Sequence, residues 1–137
     1  MSVECAIQVV AGIIEDDAGL VLLAERPPGK KLAGLWEFPG GKIESGESGE
    51  DALVRELKEE LELDVRIVKG LGVFPHTYAW GSIDLHVYVV RALNAPRETQ
   101  DVHAFKWVTP SGIERKQLAP ADIKPLDIYL SSRPKAE

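Results

Sequence analysis

The sequence predicts an α/β fold in which helices cover both faces of a mixed β-sheet. Two observations predict it: apolar runs typical of strands outnumber helical stretches, and a strongly amphipathic helical stretch lies between them in the chain. The length of 137 residues, with 45% hydrophobic residues, suits one domain with a single core. No repeat, low-complexity tract or linker interrupts the chain, so we expect residues 1–137 to form a single domain.

Two apolar runs at the start of the chain predict a β-hairpin. Residues 3–14 are rich in β-branched side chains, residues 20–24 are apolar, and residues 16–19 supply acidic and glycine turn positions. Residues 26–35 then combine prolines and glycines with three basic side chains, which predicts a loop. The positive charge of this loop offsets the acidic average of the chain, and loops of this kind often contact substrate.

The central and C-terminal elements follow from the same kinds of signal. Ser48, followed by Glu50 and Asp51, predicts the capped start of a helix over about residues 49–61. A tight turn is expected at residues 39–41, because a proline and two glycines interrupt the short strand before them. The remaining predictions are strands at residues 36–38, 64–68, 71–74, 85–93 and 105–108, and a last helix at residues 123–130 with Pro125 in its first turn.

Charge and cysteine content argue against several classes of function. The formal net charge of −6 and the pI near 5.1 disfavour binding to duplex nucleic acid, which requires a basic face. A polyanionic substrate would therefore need help from bound cations. Cys5 is the only cysteine, so no intrachain disulfide is possible and a reducing, cytoplasmic setting fits best. The apolar N-terminus carries Glu4 and no basic residue and stops at Glu15, which argues against a signal peptide or membrane span.

Three glutamates on the predicted central helix form the strongest chemical signal. At about 100° per residue, Glu56, Glu59 and Glu60 fall within one arc, beside a face of leucines. Carboxylates this close repel one another, and a divalent cation would turn that repulsion into affinity. Magnesium and manganese take such hard oxygen ligands and share phosphate oxygens with them. The alternative is a solvated acidic face, which is common on helices.

A longer motif surrounds these glutamates. In identity and spacing it is similar to the signature box of the Nudix hydrolases, and its members are Gly41, Glu47, Arg55, Glu56, Leu57, Glu59, Glu60 and Leu63. The chain departs from the family pattern at one position, where Glu62 replaces a glycine that usually ends the helix in a left-handed turn. A residue other than glycine is expected to cost about 1 kcal/mol there or to shift the cap.

The resemblance extends beyond the box and narrows to the MutT-like branch, which cleans or degrades nucleoside triphosphates. Residues 35–44 are similar to that branch's approach to the box, and residues 120–122 are similar to its base-recognition segment. Asp101 precedes Trp107 and Val108 at a spacing where the branch commonly has a glutamate. The resemblance implies the Nudix fold, a mixed β-sheet sandwiched between α-helices. We expect a monomer or a weak dimer.

For the metal site, the resemblance implies Mg²⁺ or Mn²⁺ as the cofactor. The ligands would be Glu56, Glu59 and Glu60, one of which can instead be the base for water, together with the carbonyl oxygen of Gly40. Asp101 would be an additional ligand or base, and its alternative is an ordinary turn aspartate. The bound cations would neutralise developing charge on the phosphates and lower the pKa of a bound water.

Further residues are implied around the metal and the phosphates. Arg55 would hold Glu56 by a charge-assisted hydrogen bond, with Glu47 in support. The alternative for Arg55 is an ordinary surface ion pair, and the alternative for Glu47 is a partner of the helix dipole. Arg26 matches the position of a phosphate-contacting arginine, and Lys42 lies close enough to the box for similar work. Surface solvation is the alternative for both.

Three residues are candidates to bind the base. Phe38 and Tyr78 can stack on or pack around the ring, because an aromatic face accepts any base, and core packing is their alternative. Asp122 would read the base edge. An ionised carboxylate only accepts hydrogen bonds, which suits the adjacent donors of guanine or 8-oxoguanine, or the single amino donor of cytosine. The alternative for Asp122 is an N-cap of the last helix.

These inferences together predict an enzyme that cuts a (deoxy)nucleoside triphosphate between its α and β phosphates. The products would be a monophosphate and pyrophosphate. The leading substrate is 8-oxo-dGTP. Its hydrolysis would remove an oxidised nucleotide from the nucleotide pool, which is a role in DNA repair. Cytosine nucleotides, the 5′ end of RNA and a dinucleotide are alternative substrates. A domain that only senses a nucleotide is the alternative from another class, and the intact glutamate set argues against it.

Overall fold

One mixed sheet of seven strands forms the centre of the fold. The computed structural model describes residues 6–100, 102 and 104–133. The strands are β1 (Ile7–Glu15), β2 (Val21–Glu25), β3 (Trp36–Glu37), β4 (Gly40–Lys42), β5 (Val65–Tyr78), β6 (Gly81–Ala92) and β7 (Phe105–Val108). The main order is β3-β2-β1-β6-β5, with β4 paired to β1 and β7 paired to β2. Strands β1 and β6 are parallel and the other pairs are antiparallel.

Helices α1 (Gly49–Leu61) and α2 (Pro120–Ser132) pack on opposite faces of this sheet. Because successive side chains of a strand point to opposite faces, β1 contributes to a core on each side. The core under α1 includes Val10, Ile14, Leu22, Leu53, Leu57 and Leu61. The core under α2 includes Ala11, Ile13, Leu23, Leu85, Leu126 and Tyr129. The predicted mixed sheet between helices is therefore confirmed. No helix in the described part of the chain has the length and apolar character needed to cross a membrane.

The N-terminal hairpin is confirmed at its turn. Glu15 pairs with Val21, and the carboxylate of Asp16 accepts hydrogen bonds from the backbone N–H groups of Ala18 and Leu20, both at 2.9 Å. An aspartate that binds the backbone two to four residues ahead is a common turn device. Among the described residues, Glu15 and Val21 are the one pair between β1 and β2, whereas β1 pairs in parallel with β6 along its whole length.

The predicted tight turn at residues 39–41 is wrong, because Gly40–Lys42 forms strand β4 beside β1. Gly40 lies opposite Ala11, and Gly41 lies opposite Val10. A Cβ atom added to Gly40 would lie 1.9 Å from the carbonyl oxygen of Val10. Glycine is therefore required here for close approach between two backbones, and not for a positive φ angle.

The strands predicted at residues 64–68 and 71–74 are one continuous strand, β5, which extends to Tyr78. Its pairing with β6 shifts between Ile67 and Lys69 and again between Gly70 and Gly72. The residues skipped at these β-bulges are Val68 and Leu71, whereas Gly70 and Gly72 keep partners on β6, so the glycines do not end the strand. Strands β5 and β6 continue together to a hairpin tip, where β6 begins at Gly81.

Helix α1 spans the predicted residues and begins at the predicted cap. The Ser48 side chain accepts a hydrogen bond from the N–H of Asp51 at 3.0 Å. Three leucines of α1 are fully buried, and each contributes roughly 1.5–3 kcal/mol through burial, so packing outweighs intrinsic propensity. At the other end, Glu62 has φ 49° and ψ 36°, which is the left-handed conformation expected from the missing glycine. Its N–H donates to the carbonyl of Lys58 at 3.1 Å, and the N–H of Leu63 donates to the carbonyl of Leu57 at 3.2 Å.

Replacing Glu62 with glycine is expected to raise the free energy of unfolding by up to about 1 kcal/mol, because glycine adopts this conformation without a Cβ clash. Turnover should stay close to that of the unmodified enzyme. Denaturant unfolding of both proteins, with Glu50→Gly in the regular first turn of α1 as a destabilising control, measures the effect. A clear loss of stability in Glu62→Gly would show that the left-handed turn carries no strain.

Helix α2 begins at Pro120, three residues before the predicted start, and its N-cap is Ala119. Pro125 consequently lies inside the helix and not in its first turn. The prediction missed this start because the sequence offers no capping side chain there; the helix instead begins at Pro120, whose fixed φ suits the first helical position. Asp122 lies in the first turn, so the alternative that it is the N-cap is wrong.

Candidate active site

An open cleft of about 610 Å³ beside β4 brings together most of the predicted site residues. Parts of β1 and β4, the loop at residues 26–35, the β5–β6 hairpin and the start of α2 form its walls. The predicted residues that line it are Arg26, Phe38, Gly40, Lys42, Glu60, Tyr78 and Asp122. Asp101 lies outside the described residues.

Arg55 organises the glutamates around helix α1. Its Nε and Nη2 donate to the two carboxylate oxygens of Glu47 at 2.7 and 3.0 Å. Its Nη1 donates to Glu56 at 2.9 Å and to Glu59 at 3.2 Å. The expected hydrogen bond between Arg55 and Glu56 is thus present. A further bond from Nη2 to the carbonyl oxygen of Lys42, at 3.1 Å, ties α1 to β4.

This arrangement requires an arginine. The hydrogen bond from Arg55 holds the pKa of Glu47 below its usual range, and the hydrogen bond to Glu47 raises the pKa of Arg55. A guanidinium group is planar and has five N–H donors, so it can bind Glu47 with two of them and still reach Glu56. A lysine at this position would offer a point charge without that fork.

Glu56 lies directly against the backbone of β4. Its side chain is 14% exposed, whereas that of Glu59 is 56% exposed. A Cβ atom added to Gly41 would lie 2.4 Å from the Glu56 carboxylate. Gly41 therefore leaves the space that the carboxylate occupies, which explains in this chain why the motif has glycine there.

The donor set fits a hard divalent cation in its chemistry. Carboxylate oxygens from Glu56 and Glu59 meet at one nitrogen of Arg55, and Glu60 lines the cleft with the backbone of Gly40. Within the described residues, however, no three His, Cys, Asp or Glu side chains converge into one cluster. Like charges at these helix spacings repel, and the positive charge of Arg55 offsets the negative charges of Glu56 and Glu59.

Arg26 and Glu37 form an ion pair in the cleft. Glu37 was not among the residues predicted from the sequence. Arg26 Nη1 donates to Glu37 at 2.9 Å, and Arg26 Nε donates to the carbonyl oxygen of Lys31 at 2.7 Å. Burial raises the pKa of Glu37, and the nearby Arg26 opposes that effect. The signal for Glu37 was its place between two aromatic residues in an alternating strand.

Asp122 is the one buried charged or polar side chain among the described residues, with 4% of its surface exposed. Its Oδ2 accepts a hydrogen bond from the N–H of Phe38 at 3.0 Å. Burial, reinforced by the negative charge of Glu37, raises the pKa of Asp122 to about 8. The carboxyl group is therefore mainly neutral near pH 7, which differs from the ionised form assumed from the sequence.

This pKa predicts how stability depends on pH. The folded state binds the Asp122 proton more tightly than the unfolded state, so the stability it contributes is present below about pH 4. It is lost as pH rises towards about 8, by up to about 1.4 kcal/mol per pH unit. Asp122→Asn keeps a hydrogen-bond acceptor for Phe38 but does not titrate, so its unfolding free energy should decline less over this range.

Denaturant unfolding of wild type and Asp122→Asn at several pH values between 5 and 9 measures the difference. Glu37 titrates in both proteins, so the difference between the two curves reports the titration of Asp122 together with its coupling to Glu37. Parallel curves would contradict the raised pKa.

The aromatic residues of the cleft are a core residue, Phe38, and a stacked pair, Tyr78 and Trp80. Phe38 is 2% exposed and packs in the core under α2, so its ring serves packing while its backbone holds Asp122. Tyr78 is half-buried, and its hydroxyl oxygen accepts a hydrogen bond from the N–H of Ala121 at 3.0 Å. Trp80, which the sequence analysis did not single out, stacks on Tyr78 and also lines the cleft.

The fold and the helix-borne glutamates define a class of protein, which comparison with known sequences identifies. The family model of the NUDIX domain matches residues 7–127. The chain belongs to the Nudix hydrolase family and, within it, to the MutT-like branch. It is therefore an enzyme of a family that generally uses divalent metal ions.

Individual relatives cover nearly the whole chain. The CTP pyrophosphohydrolase of Escherichia coli strain K12 is 39% identical over 127 residues, which is 93% of each chain. The 8-oxo-dGTP diphosphatase of Haemophilus influenzae is 34% identical over 119 residues, 86% of this chain and 87% of the relative. The solution structure of the E. coli ORF135 protein has a TM-score of 0.81 at 38% identity and covers 96% of this chain and 95% of its own. A MutT NUDIX hydrolase from Burkholderia pseudomallei has a TM-score of 0.79 at 29% identity, with 90% and 98% coverage.

Proposed function

We propose that this enzyme hydrolyses a nucleoside triphosphate between its α and β phosphates and releases a nucleoside monophosphate and pyrophosphate. The observation that carries the proposal is that one cleft contains both Glu60, beside the glycines of β4, and the buried carboxyl group of Asp122. A nucleotide in this cleft can direct its phosphates to the glutamates and its base to Asp122. Pyrophosphohydrolase and diphosphatase activities in the names of the relatives support the same reaction.

For the metal site, we propose that Glu56, Glu59, Glu60 and the carbonyl oxygen of Gly40 hold Mg²⁺ or Mn²⁺. The bound cation would neutralise phosphate charge and activate water. Arg55 would hold Glu56 against the backbone of β4, since it already binds that carboxylate at 2.9 Å. Asp101 is proposed as a further ligand or base.

The phosphates would also meet the basic side chains of the cleft. Lys42 is exposed and lines the cleft beside Gly41, so its ammonium group can reach a phosphate. Arg26 is committed to Glu37 and to the carbonyl of Lys31, so a contact with phosphate would have to share its guanidinium group. We therefore assign the larger phosphate role to Lys42.

The neutral Asp122 favours a cytosine triphosphate as substrate. A neutral carboxyl group offers one O–H donor beside an acceptor oxygen, and cytosine offers an amino donor beside a ring nitrogen acceptor. The similarity to a CTP pyrophosphohydrolase over 93% of both chains supports the same choice. The second candidate is 8-oxo-dGTP, supported by the Haemophilus influenzae relative and by the match between an ionised carboxylate and the adjacent donors of guanine. Hydrolysis of that substrate would give the enzyme a role in sanitation of the nucleotide pool.

A substrate panel tests this proposal. The catalytic efficiency, kcat/KM, is measured with magnesium for CTP, dCTP, dGTP, dATP and 8-oxo-dGTP at pH 6.5 and pH 8.5. We expect the cytosine substrates to lead, and the ratio of guanine to cytosine efficiency to rise at the higher pH as Asp122 ionises. Equal efficiency for all bases at both pH values would contradict base recognition by Asp122.

A further inference from the structure

Trp80 is a large aromatic side chain at the tip of the β5–β6 hairpin, and 48% of its surface is exposed. Its ring lies nearly parallel to that of Tyr78, with an interplanar angle of 5° and 4.7 Å between the centroids. A half-exposed tryptophan is not needed to fill the core, yet this one lines the nucleotide cleft. Its exposed ring is therefore available to a ligand in the cleft.

Lys31 lies over the Trp80 ring. Its Nζ lies 4.8 Å from the ring centroid, which is the distance of a cation–π contact. Trp80 is therefore in contact with both Tyr78 and Lys31. The hairpin tip and the loop at residues 26–35 thus meet across the mouth of the cleft.

The backbone of Lys31 is itself held in place from inside the cleft. Arg26, which is paired with Glu37, donates from Nε to the carbonyl oxygen of Lys31 at 2.7 Å. Arg26 therefore positions the lysine whose side chain reaches Trp80. This gives Arg26 a structural task that is independent of any contact with phosphate.

The hairpin side is anchored to the base-recognition segment. The hydroxyl oxygen of Tyr78 accepts a hydrogen bond from the N–H of Ala121, the residue before Asp122. A continuous chain of contacts consequently runs from the start of α2 through Tyr78 and Trp80 to Lys31. The residues that anchor these contacts at either end, Ala121 and Arg26, both line the cleft.

We propose that Trp80 and Lys31 form a clasp across the mouth of the cleft, which retains a bound nucleotide whatever its base. The inference rests on the proposed function, since it takes the cleft to be the nucleotide site. Trp80 and Lys31 lie at the mouth of the cleft and away from the glutamates. Their contacts with a bound nucleotide are therefore the same before and during the chemical step. Such contacts lower KM and the dissociation constant and leave kcat nearly unchanged.

The test measures binding and turnover separately. Binding of the α,β-methylene analogues of CTP and dGTP, which cannot be cut at that bond, is measured with magnesium by calorimetry. We expect Trp80→Ala and Lys31→Met each to raise the dissociation constant of both analogues by about tenfold, and to raise KM similarly with kcat within about twofold. Trp80→Phe and Lys31→Arg should restore most of the affinity, because they keep the ring and the cation.

A double variant and a matched control complete the test. If the two side chains act as one clasp, Lys31→Met in the Trp80→Ala background should add little further loss. Lys69→Met, a charge change on β5 outside the cleft, should leave binding unchanged. Unchanged analogue affinity in both single variants, or fully additive losses, would overturn the clasp even if hydrolysis is normal. If the wild type binds the analogues but does not hydrolyse triphosphates, the proposed function fails while the binding data still decide the clasp.

Discussion

Replacing Glu59 or Glu60 with glutamine is expected to lower magnesium-dependent turnover by at least about a hundredfold while the fold survives. Glutamine keeps the shape of the side chain but removes the charge that a hard divalent cation requires. Without metal, each variant should be as stable as the wild type or slightly more stable, because repulsion between neighbouring carboxylates is reduced. The measurements are steady-state turnover over a magnesium titration and denaturant unfolding in chelator.

The matched control is Glu50→Gln, which removes one charge from the exposed first turn of the same helix. It should retain near-normal turnover. Near-normal magnesium-dependent turnover in both Glu59→Gln and Glu60→Gln would remove these residues from the metal site. Equal losses in the control would point to an effect of overall charge on the helix.

Replacing Asp122 with alanine is expected to cost about 1 to 3 kcal/mol in catalytic efficiency for the preferred nucleotide. The side chain is buried, so its loss leaves polar groups of the base, and the N–H of Phe38, without a partner. A poor substrate that never used Asp122 should lose much less. The measurement is kcat/KM for dCTP, dGTP and 8-oxo-dGTP, with a melting curve to confirm that the variant folds.

Asp122→Asn is the sharper variant, because an amide presents one acceptor and one donor, as a neutral carboxyl group does. It should keep efficiency for dCTP within about threefold and remove the expected rise of guanine preference at high pH. If efficiencies for all three substrates fall by the same factor in both variants, Asp122 is structural and the base is selected elsewhere.

The sequence predicted those elements whose signals are local. Helix α1 was placed correctly because Ser48 caps it and its leucines repeat with the helical period. Of the two outcomes expected for Glu62, a left-handed turn at this residue and a shifted cap, the structure has the first. Strand β7 was likewise predicted with the residues that form it. In each case a short window of sequence contains the cause of the structure.

The elements that were missed depend on partners far away in the chain. Gly40–Lys42 is a strand only because β1 approaches it closely, and no local pattern reports that pairing. The neutral state of Asp122 depends on burial and on Glu37, which is distant in sequence. Trp80 and Lys31 were missed for the same reason, because their contact joins a loop to a hairpin tip about fifty residues later.

The most direct test of the proposed reaction is the identity of the products formed from one triphosphate. Purified enzyme is incubated with CTP and magnesium, and with chelator in place of magnesium, and the nucleotide and phosphate products are quantified by chromatography. We predict equal amounts of CMP and pyrophosphate with magnesium and no reaction with chelator, because the proposed chemistry cuts between the α and β phosphates with a metal held by α1. Release of CDP and inorganic phosphate, or an unchanged rate in chelator, would contradict it.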